Sequence, residues 1–202
     1  ARGRRAPGRG DGAPAPALHG GLVFFGAEDG TFFAVDAASG KERWRFKSGR
    51  QVYASPALAG GVVFFGSGDK KVYALEAATG KEKWRFETKG QILASPALAN
   101  ETLFLGSEDH ALYALNAADG RPRWTFKALG GINGSAAVAG GKVFFGCLKG
   151  TFYALEEKTG AEQWRFAAKA RIFASPAVSG GKVFLGSEDK FLYALDAVSG
   201  KE

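Results

Sequence analysis

A period of 40 residues runs through this chain with no insertion or deletion between copies. The tryptophans, Trp44, Trp84, Trp124 and Trp164, keep that interval, and so do Gly26, Gly66, Gly106, Gly146 and Gly186. A strict repeat of this length limits the fold to architectures in which like units stack on one another, propellers and solenoids.

Turn residues divide each copy into four short stretches, seen best in the second copy. Stretch A (52–58) ends at Gly60-Gly61, a pair able to take the positive φ angles of a two-residue hairpin turn. Stretch B (62–67) reverses at Asp69-Lys70, stretch C (71–76) is closed by Ala77-Ala78-Thr79-Gly80, and stretch D (82–87) carries the tryptophan. Three successive hairpins predict an antiparallel meander of four strands. Val62-Val63-Phe64-Phe65 is apolar on both faces of a strand, so each sheet must be covered on both sides by its neighbours. Stretch A is built from small residues with Pro at 56, 96 and 176, which suits an innermost edge strand, whereas the bulky Trp and Phe of stretch D suit the wide outer rim. These features together predict an all-β protein, a β-propeller of four-stranded antiparallel blades with about five repeats. The blades are expected at 15–50, 51–90, 91–130, 131–170 and 171–202. The repeat would place a fifth outer-strand Trp just past Glu202. The last blade is therefore expected to lack its outer strand, and the whole to form an open arc cut from a larger ring.

A hydrophobic content of 46% with 17 Phe supplies a core and excludes a disordered chain, while no apolar run approaches the roughly 18 residues of a membrane-spanning helix. No membrane insertion is expected of this segment. Part of the net charge of +7 is local: Arg2, Arg4, Arg5 and Arg9 face only Asp11 within residues 1–14, a stretch read as a disordered basic Gly/Pro/Arg linker. A chain that opens on Ala and contains no Met reads as a piece of a longer protein. Cys147 is the lone cysteine, which excludes an internal disulfide, and it shares its register with Ser67, Ser107 and Ser187 as a small residue at a strand end. His19 and His110 both fall at turns without partners for general-base or metal chemistry. The Lys-Glu-x-Trp-Arg-Phe stretches mix basic and aromatic residues, yet their fixed period points to outer-strand packing with a solvated charged face, so no nucleic-acid partner is expected.

The pattern Phe-Gly-Ser-x-Asp-x-x-x-Tyr-Ala-Leu-x-Ala-x-Thr/Ser-Gly-Lys-x-x-Trp-x-Phe, carried in five tandem copies over residues 15–202, resembles the PQQ-like propeller repeat. Quinoprotein dehydrogenases and BamB-type outer-membrane assembly factors share that repeat. The resemblance implies a parent ring of seven or eight blades. It also implies that Trp44, Trp84, Trp124 and Trp164 act as structural anchors between blades, and that the chain works in the periplasm or another extracytoplasmic space. Quinoprotein dehydrogenases also need a Ca²⁺ held by acidic and amide side chains beside the quinone, a catalytic Asp and often a pair of adjacent cysteines. One cysteine cannot supply that pair, and the acids Glu28, Asp29, Asp69, Glu108, Asp109, Glu188 and Asp189 are explained as turn formers by their register. Accordingly no catalytic, cofactor-binding or metal-ligating residue is assigned, and PQQ with Ca²⁺ belongs only to the alternative of a dehydrogenase fragment.

The alternating strand directions bring the D-to-A connections and the B-to-C turns to one face. There Arg50, Gln51, Gln91, Asn133 and Arg171 begin the innermost strands and vary where the framework does not. Variable loops on a rigid scaffold are where binding residues concentrate. The expected role is a non-catalytic scaffold that docks a protein or peptide over the channel mouth, with further blades of the parent chain as its other neighbours. A dehydrogenase fragment and the extracytoplasmic sensor domain of a larger signalling protein are the alternatives.

Overall fold

The computed structural model describes residues 15–202, so the linker expected at 1–14 lies outside the described residues. The first sheet consists of β1 (Ala17–His19), β2 (Leu22–Gly26), β3 (Thr31–Asp36) and β4 (Glu42–Lys47). The second holds β5 (Ala57–Ala59), β6 (Val62–Gly66), β7 (Lys71–Glu76) and β8 (Glu82–Glu87). The third holds β9 (Ala97–Ala99), β10 (Thr102–Gly106), β11 (Ala111–Asn116) and β12 (Pro122–Lys127). The fourth holds β13 (Ala137–Ala139), β14 (Lys142–Gly146), β15 (Thr151–Glu156) and β16 (Glu162–Ala167). The fifth has three strands, β17 (Ala177–Ser179), β18 (Lys182–Gly186) and β19 (Leu192–Asp196). Every pairing is antiparallel and sequential, and Gly60 and Gly61 take φ of +54° and +72°, the mirror-image turn that matches the twist of a hairpin.

The core lies between blades rather than within them. Phe24, Phe32 and Ala34 of the first blade pack with Val63, Phe65 and Leu75 of the second, and three further clusters repeat the arrangement down the array. Phe32 stacks on Phe65 with ring centroids 4.0 Å apart. Both faces of an inner blade are therefore dry, as the two-sided apolar strands require. Inner strands are neighbours in chain order, β1 to β5 to β9 to β13 to β17. The outward faces of the first and last blades stay open, with Leu18 and Leu192 exposed. The blades thus form an open arc.

The innermost strand is shorter than its sequence suggests. Ladder pairing begins at Ala57, and Pro56 precedes the strand instead of lying in it. The reason is competition for the backbone. Val52 N donates to Ala27 O of the first blade at 3.0 Å, while Gln51 O accepts from Gly68 N of the second at 2.9 Å. The connecting segment is thereby pinned between two B-to-C turns, and the ladder starts only at Ala57. Farther in, the Ser55 Oγ accepts from Ala15 N, Ser95 Oγ from Ser55 N, Ser135 Oγ from Ser95 N and Ser175 Oγ from Ser135 N, all at 2.8–3.1 Å. This chain of hydroxyls joins consecutive blades at the axis. Ser55, Ser95, Ser135 and Ser175 keep the 40-residue interval of the repeat.

The connecting segment also plugs each blade junction. Ile92 fits against Gly66 so closely that a Cβ on that glycine would overlap the isoleucine side chain, and the same holds for Gly106 with Ile132 and Gly146 with Ile172. At Gly186 the nearest atom to such a Cβ is Ala174 Cβ, at 3.7 Å. Gly66→Ala should therefore cost about 1–3 kcal/mol through overpacking, whereas Gly186→Ala should stay within about 0.5 kcal/mol of wild type. Urea unfolding of the two variants measures the contrast, and equal losses would contradict it.

Candidate functional site

Each blade junction is closed by an aromatic from the outer strand. A bulge shifts the register between Ala74 and Leu75 opposite β8, and the same irregularity recurs in the first, third and fourth blades. Bulges sharpen local twist and re-aim side chains. The indole N–H of Trp44 donates to Ala77 O of the next blade at 3.0 Å, Trp84 to Ala117 O at 3.1 Å, Trp124 to Glu157 O at 2.9 Å and Trp164 to Ala197 O at 3.3 Å. Beneath each ring lies a glycine of that neighbour: a Cβ on Gly80 would stand 2.7 Å from the Trp44 ring. Gly80 thus has two reasons to be glycine, the approach of the indole and a φ of +73°. Phe46, two residues along the same strand, meets Tyr73 of the second blade edge-on at 5.0 Å. The opposite side of the outer strand carries exposed ion pairs such as Arg45–Glu42 and Arg165–Glu162, which add little to stability.

The turn acids do more than shape turns. Asp69 Oδ1 accepts from Lys71 N within its own turn. Its Oδ2 takes the Tyr73 hydroxyl at 2.6 Å and, at 2.7 Å, the N–H of Gly49 from the connection leaving the first blade. Asp109 with Tyr113 and Lys89, and Asp189 with Tyr193 and Lys169, repeat this clasp. Burial, and then the bond to aspartate, raises the Tyr73 and Tyr113 hydroxyls well above the usual phenol range. At Asp189 burial acts to raise the carboxyl, but the bonds from Tyr193, Lys169 and Phe191 outweigh it and hold it below its ordinary value. In the fourth blade Lys149 stands in the aspartate register, and the Tyr153 hydroxyl accepts directly from Leu129 N at 3.1 Å. Cys147, in the serine register beside it, is buried.

These bonds occupy the carboxylates, and no three His, Cys, Asp or Glu side chains converge among the described residues. A hard cation such as Ca²⁺ needs roughly 6–8 oxygen ligands gathered at one point; the turn acids are spread over four blades, at most two to a blade. The residues present do not assemble the donor set that a quinone-bound Ca²⁺ would use. His19 ends β1 and His110 sits in a B-to-C turn with φ of 71°, both exposed.

At the channel mouth the connecting segments alternate. Val52, Ile92, Ile132 and Ile172 are fully buried between blades, while Gln51, Gln91, Leu93 and Asn133 beside them are half-buried and Tyr53, Arg171 and Phe173 are exposed. Gln51 Nε2 donates to Gln91 Oε1 at 3.1 Å, and Arg50 and Arg171 are exposed. Asn133 lies two positions past the register of Gln51, Gln91 and Arg171, in that of Tyr53, Leu93 and Phe173. Its Nδ2 reaches Glu108 Oε1 at 3.5 Å and its buried Oδ1 has no partner. Sequence reading passed over Tyr53 and Phe173, which are 44% and 42% exposed and bring aromatic surface to the same rim. Their alternation with the buried Val and Ile was the signal that could have found them.

An arc of radial four-stranded blades with an aromatic pinned across every junction is a β-propeller of the PQQ-like repeat class. More particularly, the chain belongs to the family described as outer membrane protein assembly factor BamB, whose profile matches residues 28–132 and 124–202. No curated protein matches it at the level of sequence. Among solved structures it is similar to BamB from Moraxella catarrhalis, with a TM-score of 0.81 and 21% identity over 90% of this chain and 60% of that one. It is similar to the computationally designed Ika8 protein, with a TM-score of 0.83 and 20% identity over 93% of this chain and 59% of that one. A quinohemoprotein alcohol dehydrogenase from Comamonas testosteroni gives a TM-score of 0.81 and 17% identity over 94% of this chain and 42% of that one. The chain therefore spans three-fifths or less of each of these structures, and the likeness is one of fold.

Two outcomes test the junction chemistry. Trp84→Ala removes an indole wedged against Gly120 and frees Ala117 O, and should cost about 3–5 kcal/mol in denaturant unfolding. Because the Asp189 carboxyl is lowered in the fold, its stabilising contribution is complete above the unfolded value of 3.8 and is lost as pH falls through the lower folded value. Asp189→Asn should therefore flatten the acid limb of the stability profile below about pH 4, whereas an unchanged limb would separate that carboxylate from the clasp.

Proposed function

We propose that this chain is a non-catalytic protein-interaction scaffold of the BamB type, which binds a protein or peptide partner over its channel mouth in the periplasm or another extracytoplasmic space. One observation carries the reading: exposed Arg50, Arg171, Tyr53 and Phe173 share a rim with the paired Gln51 and Gln91, on segments whose intervening residues are fully buried. Arginine and tyrosine are enriched among the residues that dominate binding energy, and a rigid support reduces the ordering cost of docking. The description of the matching family, an outer membrane assembly factor, supports the extracytoplasmic setting. No helix among the described residues is long and apolar enough to cross a membrane.

The four tryptophans serve in this reading as anchors that keep the rim rigid. The likeness to a dehydrogenase concerns fold alone, and the scattered turn carboxylates favour no quinone site in this segment. A photo-cross-linking amino acid placed at Tyr53 or Phe173 should capture a discrete envelope partner. Substituting Arg50, Gln51 and Arg171 together by Ala should lower that partner's affinity at least about tenfold, roughly 1.4 kcal/mol, without shifting the unfolding midpoint. Unchanged affinity would remove the rim from the interaction.

A further inference from the structure

The positive charge of this protein is gathered on its outer strands. Residues 41–47, 81–87 and 121–127 hold ten basic and three acidic side chains, an excess larger than that of residues 15–202 as a whole, with 23 basic and 19 acidic. In the fourth blade the matching stretch, 161–167, holds one of each. A basic pair stands at the start of each of the first three outer strands, Lys41 with Arg43, Lys81 with Lys83 and Arg121 with Arg123, where the fourth blade has Ala161 and Gln163. All six basic side chains are exposed, and Lys41, Arg43, Lys81 and Lys83 form no ion pair among the described residues. The pairs border the face opposite the channel mouth, where the A-to-B and C-to-D turns emerge. On that face a cleft of about 380 Å³ lies between the first and second blades, lined by His19, Leu22, Val62, Glu76, Ala78 and Lys83. Glu76 takes the Thr79 hydroxyl there at 2.6 Å. At this junction Gly20 and Ala77 leave the cleft open, whereas between the third and fourth blades Asn100 and Glu157 hold the same registers and bond across the space at 2.7 Å. The bridged junction adjoins the outer strand that lacks a basic pair.

We propose that this border is a docking surface for an extended acidic segment of a partner protein, which lays carboxylates along the basic pairs of the first three blades and an aliphatic side chain in the cleft between the first and second. Charge complementarity selects the occupant. Lys81, Lys83 and Arg85 are exposed at a two-residue spacing, with Glu82, Trp84 and Phe86 half-buried between them. That is the period at which side chains leave one face of an extended peptide. Half-buried Leu22 and Val62 give the cleft an apolar wall that a bare anion would leave unused. Single-stranded nucleic acid needs open rings on which bases stack, and the outer-strand tryptophans are seated on glycines of the next blade. A bilayer surface is held by apolar side chains that insert as well as by charge, and none of the large exposed apolar residues lies in an outer strand. This surface is on the other side of the arc from the channel mouth and does not depend on it.

The probe is a fluorescently labelled peptide of alternating Glu and Ser with one central Leu, titrated into the intact protein and followed by anisotropy. Saturable binding should weaken as salt is raised. It should fall at least about tenfold when Gln replaces every Glu of the peptide, or when Lys81→Gln and Lys83→Gln are combined. Gly20→Asn with Ala77→Glu copies the bridge between the third and fourth blades, and Asn100 already takes a φ of +46°, close to the +57° of Gly20. This variant should close the cleft and abolish the preference for the Leu peptide over one with Ser in its place. Lys142→Gln with Lys158→Gln removes the same charge from the fourth blade and should leave affinity unchanged, as should replacement of Arg50, Gln51 and Arg171 at the channel mouth. An equal loss from the fourth-blade variant, no binding at low salt, or no preference for the Leu peptide would each overturn the proposal. So would tighter binding of oligothymidylate or of phosphatidylglycerol vesicles, which would assign the basic pairs to a nucleic acid or to a membrane.

Discussion

Everything in this protein depends on the fact that its sheets are apolar on both faces. A four-stranded sheet with Val63 and Phe65 on one side and Phe64 and Val72 on the other cannot face water on either. It is stable only when sandwiched. The four interblade clusters are the result, and they make stability a sum of nearest-neighbour terms, with no single core shared by the whole chain. Directional contacts then set the angle between neighbours. Dispersion and burial would tolerate sliding of one flat apolar face over another; an indole bonded to one carbonyl and seated on one glycine does not. The serine chain near the axis and the tryptophans at the rim act at opposite radii, so together they fix rotation as well as separation.

The framework was legible in the sequence to the extent that it rests on periodicity and turn chemistry. Gly60-Gly61 located a hairpin, and the two-sided apolar stretch at Val62 to Phe65 demanded neighbours on both faces. Less legible was whatever depends on which backbone groups compete. The segment at 51–56 has the composition of a strand, but Val52 N and Gln51 O are claimed by turns of two different blades and Ser55 N by a serine hydroxyl of the next blade. No local signal announces such a claim. The same limit hid the aspartate clasp: Asp69 looks like a turn former, and its second oxygen finds Tyr73 and Gly49 only once the blades are assembled. Asn133 belongs to the register of Tyr53 and Phe173, two positions past that of Gln51, Gln91 and Arg171.

The fourth blade shows how far the clasp can be altered while the architecture persists. Lys149 removes the carboxylate, Cys147 replaces the serine hydroxyl, and Gly134 allows the carbonyl of Phe173 to lie where a Cβ would be only 2.7 Å away. The amide of Leu129 is still satisfied, because the Tyr153 hydroxyl turns from donor to acceptor. A hydroxyl can make that exchange and a carboxylate cannot, which explains why the tyrosine can outlast its aspartate within one chain. What the four blades share is a partner for one backbone N–H of the connecting segment, and the identity of that partner is secondary.

The same distinction explains why the channel mouth can specialise. Where the connecting segments are anchored, the bonds are made by main-chain atoms: Val52 N, Gln51 O and Arg50 O. Side chains at 50, 51 and 53 contribute nothing to those bonds, so they can differ from blade to blade without loosening the arc. The buried Val and Ile between them have no such freedom, since each fills the space above a glycine of the preceding blade. Within a few residues the segment thus separates a packed function from an exposed one by the simple alternation of an extended chain. A rim built in this way can carry Gln in one blade and Arg in another while presenting both on the same rigid curve.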